Sequence, residues 1–400
     1  MAALFVSMSL AASLSRLVAL IVSAVIEEVS GKGRFRLSAK RIVVLFFLSW
    51  FLLFNSLVQH IGFLLDSVLF PAWTKELVKE PVVIVSNARS GSTLLHRALL
   101  NHNDHLTSPS LWEIFFAQSV CFKVFWHLMG RLDAILCRGA LTWIASLLDS
   151  RLERWSFTRA PHPFSLFGTE EDEWMMSTVG ACQLLALLFP QLGASSPLAR
   201  LAQANDLSLE ERRAIYGHYR QLVQRHLYFV RSWKGIKSAR YVCKNPTFTL
   251  RLDAVVEEFP DCSLIVAVRN PYSTVPSMVS YISKWWHLFA SPMDEYPAKD
   301  FLIDLCNLHY QKPLDLARSR PGTIFVKYED LVKDEASVFS RLLVDLGETN
   351  NDATSSGGRS DSMIFTHNYS VEETLGLSEQ EFQNKQCRLA FECYPEYRKL

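Results

Sequence analysis

Arg89, Ser90, Ser92 and Thr93 surround a single glycine, Gly91, just after the apolar run Val82–Val85 and just before an apolar-periodic stretch. Hydroxyls and a guanidinium gathered on one turn are hydrogen-bond donors, and they suit an anion. A strand that ends in small residues and gives way to a helix strengthens this. The helix aims its first N–H groups and the positive end of its dipole at the same spot. The pattern predicts a loop for a phosphate or a sulfate. A nucleoside-triphosphate loop would read G-x-x-x-x-G-K-[ST], with Lys on the phosphates and the hydroxyl on magnesium. Here the glycine stands alone, no Lys precedes Ser92, and the cation, Arg89, lies before the glycine. The next buried run, Ser263–Val268, ends in Arg269, where a magnesium site would want Asp. Two strands ending in arginine predict a metal-free site for a polyanion.

These residues carry a family resemblance. Arg89-Ser90-Gly91-Ser92-Thr93-Leu94-Leu95 resembles the 5′-phosphosulfate loop of sulfotransferases that use 3′-phosphoadenosine-5′-phosphosulfate (PAPS). Val268-Arg269-Asn270-Pro271, followed by Ser277, resembles their 3′-phosphate motif, and Phe325-Val326-Lys327-Tyr328-Glu329-Asp330-Leu331 a third signature. The three lie in the family's order, and the resemblance covers residues 80–400. It is nearest the branch with Leu-Leu-His after the loop. Asn87 and Ala88 stand where the family has Gly and Pro, and Ser92 where Thr is common.

The resemblance implies a PAPS-dependent sulfotransferase that moves the sulfuryl group to an acceptor hydroxyl. It assigns Arg89, Ser90, Gly91, Ser92, Thr93 and Leu94 to the 5′ end of the donor, and Arg269 and Ser277 to its 3′-phosphate. Lys244, in Lys244-Asn245-Pro246, matches a family Lys-x-Pro segment that stabilises the bridging oxygen. Glu113 falls where the family has a catalytic base. Its flanks, Trp112 and Ile114, predict a raised pKa; the other reading is a helix-capping or ion-paired carboxylate. His96, three residues beyond Thr93, is a second candidate base because imidazole titrates near neutrality. The acidic run Glu170–Glu173 reads as a solvated face. Trp285 and Trp286 line the acceptor pocket or simply pack.

Strands and helices alternate after residue 80. Val82–Val85, Tyr241–Cys243, Ser263–Val268 and Thr323–Val326 read as strands. Helices are expected from Thr93, over Leu250–Glu258, from Pro271, and over Leu331–Leu346. Such alternation predicts an α/β fold, a parallel sheet flanked by helices. Ligands then gather at the carboxyl ends of the strands, where Arg89, Lys244, Arg269 and Lys327 all fall. Residues 110–235 read as a largely helical cap that shapes the acceptor pocket. Gly347–Asp361 reads as a mobile loop.

The first 70 residues form a separate hydrophobic anchor region, ahead of a catalytic domain at 80–400. Ile42–Leu65 carries no charge, enough length to cross a bilayer. Lys32, Arg34, Arg36, Lys40 and Arg41 precede it. The positive-inside rule then sends the catalytic domain to a lumen, Golgi or other endomembrane, consistent with the sequon Asn368-Tyr369-Ser370. Residues 2–26 are a second membrane or interfacial helix, and a buried helical layer is the competing reading. The near-zero net charge, +1, excludes a nucleic-acid-coating surface. The eight cysteines show no metal spacing; their spread from Cys121 to Cys393 is compatible with buried thiols, the preferred reading, or with a few disulfides. A lipid or sterol, a glycan and a protein tyrosine all stay open as acceptors, and so does a homodimer. Two rival functions also stay open: a non-catalytic membrane-anchored nucleotide-binding module and a P-loop kinase.

Overall fold

The computed structural model describes residues 8–30, 37–159, 164–189, 198–202, 207–289, 299–348 and 369–399. Most of the loop expected at Gly347–Asp361 lies outside these residues, as do Lys32, Arg34, Arg36 and the sequon's Asn368.

Valine and isoleucine fill both faces of β1 (Val82–Ser86), and each of its residues is buried. A strand apolar on both faces belongs in the middle of a parallel sheet. The other strands are β2 (Leu106–Thr107), β3 (Arg240–Lys244), β4 (Ser263–Val268) and β5 (Ile324–Lys327), in the order β2-β3-β1-β4-β5. β1 runs parallel to β3 and β4, and β4 runs parallel to β5. The register sets Ile84 beside Lys244, and Val268 beside Lys327. The carboxyl ends of four strands are thereby brought level.

The main helices are α1 (Leu10–Ser30), α2 (Ala39–Leu69), α3 (Ser92–His102), α4 (Leu111–Phe116), α5 (Val120–Leu136), α6 (Ala140–Arg159), α7 (Leu209–Ser232), α8 (Leu252–Glu258), α9 (Pro271–Phe289), α10 (Lys299–Ser319), α11 (Tyr328–Lys333) and α12 (Glu335–Asp345). Two expectations need correcting. The helix expected from Leu250 begins as a 3-10 turn, Pro246–Arg251, before α8. The single helix expected over Leu331–Leu346 is two, because Asp334 leaves the helix and its carboxylate caps α12 at Ser337 N–H.

The chain forms two compact units whose segments interleave. One comprises Met1–Lys79, Thr107–Tyr241 and Tyr281–Pro297; the other comprises Glu80–Leu106, Val242–Ser280 and Ala298–Leu400. In the second, Leu95 and Leu99 of α3 and Phe339 and Leu342 of α12 close over Val82, Ile84 and Ile265 of the sheet.

The first unit is helical. Serine side chains start its helices: Ser38 caps α2, Ser119 caps α5, and Ser110 and Ser208 form capping boxes with Glu113 and Glu211. The N-terminal hydrophobic region belongs to this unit. α1 and α2 are long and apolar enough to cross a membrane, yet only 22% and 28% of their most apolar stretches are buried. One face of α2 is polar and packed: Asn55, Ser56, Gln59 and Asp66 are buried. The opposite face leaves Phe46, Trp50 and Phe54 exposed. Neither a bare span nor a fully buried layer describes such a helix. Arg41, expected as a flanking cation, is fully buried; it meets Glu28 at 3.0 Å and donates to the carbonyls of Leu188 and Phe289. Asp66 receives Arg225 at 2.9 Å and also caps α5 through the N–H groups of Val120 and Cys121. Arg225 lies against the rings of Phe63 and Trp73, 3.7 Å from the latter's centroid. None of the eight cysteines is in a disulfide, and five are buried.

Candidate functional site

Ser86, the last residue of β1, is fixed by Thr249, whose hydroxyl accepts from Ser86 N–H at 3.0 Å and donates to Ser86 C=O at 2.8 Å. The chain then turns through Asn87–Gly91. Ser90 N–H donates to Asn87 C=O, and two residues take left-handed conformations, Arg89 at φ +72° and Gly91 at φ +83°. Gly91 is also the N-cap of α3, and no side chain caps that helix. A helix start without a capping side chain is one that can bind an anion, whereas serines cap α2, α4, α5 and α7. The Ser90 hydroxyl is buried at this turn with no hydrogen-bond partner among the described residues.

The cations expected from the sequence meet here. Arg89 Nε donates to Ser277 Oγ of α9 at 3.2 Å. Arg269, just past β4, donates through Nη1 to the Arg89 carbonyl at 3.1 Å. Lys244, at the end of β3 and fully buried, donates to Thr93 Oγ1 at 3.2 Å. Arg89, Ser90, Gly91, Ser92, Thr93, Lys244, Arg269 and Ser277 thus form one cluster of donors around the start of α3. A donor set of guanidinium, ammonium, hydroxyl and backbone N–H fits a phosphate–sulfate anhydride. Leu94 sits on the same helical turn, half-buried. His96 is one turn further and wholly buried.

Three supporting residues escaped the sequence reading. The Tyr328 ring lies 4.3 Å from the Arg269 guanidinium and so closes on Gly91 that a Cβ there would come within 2.4 Å of Tyr328 Cδ2. Tyr310 OH donates to the Arg269 carbonyl at 2.7 Å. Thr249 is the third. Tyr328 lies within a quoted signature, so its position was visible though its role was not. Tyr310, inside α10, gave no signal. Lys327, also at a strand end, turns to Glu396 at 2.7 Å.

Glu113 lies in the first unit, on α4. Its carboxylate accepts from Ser110 N–H at 2.9 Å and pairs with buried Lys123 at 2.9 Å. The expected rise in its pKa is overturned. Burial alone would raise it, but the charges of Lys123, His226 and Lys234 hold it well below the usual carboxylate range. His226, whose Nε2 meets Thr107 Oγ1 at 2.9 Å, is pulled down to about 3 by burial and by Lys123. The acidic run is not a solvated face: Glu170, Asp172 and Glu173 are buried. Asp172 accepts from Tyr219 and Tyr241 hydroxyls at 2.6 Å each, and Glu173 accepts from Gln183 N–H. Trp286 is buried in the same unit, and Trp285 stacks on Phe289.

Comparison with known proteins agrees with this picture. The sequence profile described as "Sulfotransferase family" matches residues 81–352. A curated relative, omega-hydroxy-beta-dihydromenaquinone-9 sulfotransferase Stf3 of Mycobacterium tuberculosis, is 24% identical over 273 residues, which are 67% of this chain and 62% of the relative. The Mycobacterium bovis protein of the same name matches equally. This chain therefore spans under two thirds of the length of those relatives. Among solved structures, sulfotransferase STF1 from Mycobacterium tuberculosis superimposes with a TM-score of 0.61 at 16% identity, covering 96% of this chain and 92% of that one. Sulfotransferase STF9 from Mycobacterium avium gives 0.60 at 18%, covering 84% and 79%. These likenesses establish the fold. The bacterial source of the relatives argues against the Golgi lumen expected from the sequence.

Proposed function

This chain belongs to the sulfotransferase family, and on that premise we propose that it transfers a sulfuryl group from PAPS to the hydroxyl of a lipid-like acceptor. The observation that carries the donor is the convergence of Arg89, Lys244 and Arg269 on the uncapped start of α3. The loop N–H groups, Ser90, Ser92, Thr93 and Arg89 hold the 5′-phosphosulfate, with Leu94 on the same turn. Arg269 and Ser277 hold the 3′-phosphate.

The acceptor oxygen attacks sulfur, the bond from sulfur to the 5′-phosphate oxygen breaks, and 3′-phosphoadenosine-5′-phosphate (PAP) leaves with the electron pair. Lys244 offsets the charge that grows on that leaving oxygen, where a fixed cation acts most strongly on the rate. Glu113 takes the acceptor's proton; its depressed pKa keeps it deprotonated at neutral pH. His96 is the alternative base.

Two observations support a lipid acceptor. The curated relatives are named for an ω-hydroxylated dihydromenaquinone, and the N-terminal helices expose a broad apolar face. The same face supports attachment to a membrane. The test is thermal stabilisation of the detergent-purified chain. PAP raises the unfolding midpoint with its concentration, and ATP with magnesium does not. A shift with ATP–magnesium alone would overturn the donor in favour of a kinase. PAP binding without transfer from labelled PAPS to any hydroxylated lipid, glycan or tyrosine peptide would leave a binding module.

A further inference from the structure

α5 and α6 make an antiparallel pair in the first unit, turned at Cys137–Gly139. From Phe125 to Trp155 nearly every side chain faces solvent on all sides of both helices. Many are large and apolar: Trp126 and Leu132, then Ile135 (73% exposed), Leu136 (74%), Trp143 (66%) and Leu148 (59%). A soluble helix hides such residues in one stripe; one apolar all round is normally immersed in protein or lipid.

The pair is a built element. The Asp133 carboxylate caps α6 by accepting from Leu141 N–H at 3.0 Å, Thr142 N–H at 2.8 Å and the Thr142 hydroxyl at 2.6 Å. Asp149 accepts from Ser165 Oγ at 2.6 Å and Leu166 N–H at 2.7 Å. Both carboxylates are buried by this work. Between Phe125 and Trp155 the exposed charged residues are four arginines, Arg131, Arg138, Arg151 and Arg154, and one carboxylate, Glu153.

We infer that the α5–α6 hairpin is a membrane-inserting element that dips into one leaflet of an anionic bilayer. Apolar side chains all round suit a fluid phase, which covers every face at once, better than a protein groove, which covers one. The exposed arginines match anionic headgroups, to which Arg131 and Arg138 near the turn reach back along their long apolar stems, and the tryptophans suit the boundary between headgroups and acyl chains. Length fixes the mode. Phe125 to Leu136 rises about 18 Å at 1.5 Å per residue, short of the ~30 Å hydrocarbon thickness, so the hairpin enters one leaflet and does not span. The first unit already joins it to the apolar α2, because Asp66 of α2 caps α5. The inference does not rest on the transferase reading, since a chain that transferred nothing would insert its hairpin all the same.

The test reads the hairpin itself, because α1 and α2 can hold the chain on vesicles without it. Cys137 is an exposed free thiol at the turn. It is labelled with an environment-sensitive fluorophore in the full-length protein, with Cys121 and Cys393 changed to serine, after reconstitution into phosphatidylglycerol–phosphatidylcholine vesicles. Insertion predicts blue-shifted emission, quenching by acyl-chain brominated lipid, and several-fold shielding from iodide. Ile135→Asp with Leu136→Asp returns the probe to water while PAP-dependent stabilisation is unchanged. A probe that stays aqueous on vesicle-bound wild-type protein overturns the inference. So does shielding that appears only as the protein dimerises, which would make a second copy the occupant. Equal insertion into pure phosphatidylcholine removes the anionic preference assigned to the arginines.

Discussion

Arg89 Nε lies 3.2 Å from Ser277 Oγ, so two residues 188 positions apart hold one another before any ligand is considered. One belongs to the proposed 5′ grip and the other to the 3′ grip. Arg89→Ala is expected to weaken PAP binding at least tenfold, about 1.4 kcal/mol, and Ser277→Ala by a few-fold. The double substitution should cost less than the sum, because each loss already frees the other residue. Isothermal titration with PAP checks this; unchanged affinity in Arg89→Ala would remove the loop from the donor site.

Lys244 separates binding from chemistry. It reaches Thr93 from a wholly buried position. Lys244→Met should lower kcat by about 10²–10³ while PAP affinity stays within a few-fold, as for loss of a group that acts on developing charge. Lys244→Arg should not restore the rate, because the planar guanidinium is not a compact point charge. An equal fall in PAP affinity and kcat would make Lys244 a binding residue instead.

Two glycines with nearly the same backbone make a matched pair. Gly91 and Gly139 have φ +83° and +80°, but only Gly91 faces Tyr328, 2.4 Å from where a Cβ would stand, whereas a Cβ added at Gly139 would meet no described atom within 4 Å. Gly139→Ala should cost only the left-handed strain, about 1–2 kcal/mol. Gly91→Ala should cost clearly more in urea denaturation, and Tyr328→Ala should recover part of the difference. Equal costs would show that the ring yields freely.

Glu113 and His226 both contribute to the acid limb of stability, alongside His218 and His309, whose imidazoles burial pulls down to about 3 and about 4. The native Glu113 carboxyl titrates below its unfolded value, so its contribution is present above about pH 4.3 and is lost as the pH falls toward the native pKa. His226 stays neutral down to about 3, whereas the unfolded imidazole takes its proton near pH 6.5. Its contribution is therefore full above that pH and declines below it, by up to about 1.4 kcal/mol per pH unit. Urea midpoints from pH 8 to 4 should fall, and His226→Gln should flatten the stretch below pH 6.5. An unchanged slope would mean that the ring finds a proton in the folded state.

Glu113→Gln should retain PAP binding and lose about 10²–10⁴ in kcat if Glu113 is the base. Wild-type kcat should then show no acid limb near neutrality, since the carboxylate is already ionised there. A limb near pH 6.5 in both proteins, with normal turnover by Glu113→Gln, would transfer the role to an imidazole.

Chemistry with local signatures was legible in the chain. Ser263–Val268 is read to the residue, and the apolar runs at Val82 and Tyr241 are extended by one or two positions. Arg89, Lys244 and Arg269 could be assigned to one end of the sheet because parallel strands place their carboxyl ends together. Long-range partners were not legible. Burial of Asp172 depends on two tyrosines far along the chain, and the low pKa of Glu113 depends on Lys123 rather than on its own flanks. The break at Asp334 lies at a residue type that caps helices, a local signal that the reading of one helix over Leu331–Leu346 did not use.

The contact of Asp66 with Arg225 bears on how this protein can be handled. Removing residues 1–79 is the customary route to a soluble fragment of a chain with hydrophobic leading helices. Here that truncation would take away the only carboxylate paired with Arg225 among the described residues, and with it the acceptor for the Val120 and Cys121 N–H groups that open α5. A buried guanidinium stripped of its counter-charge costs about 3–5 kcal/mol, a large share of an ordinary domain's stability. The leading helices are structural members of the first unit, and the smallest sensible expression product retains them.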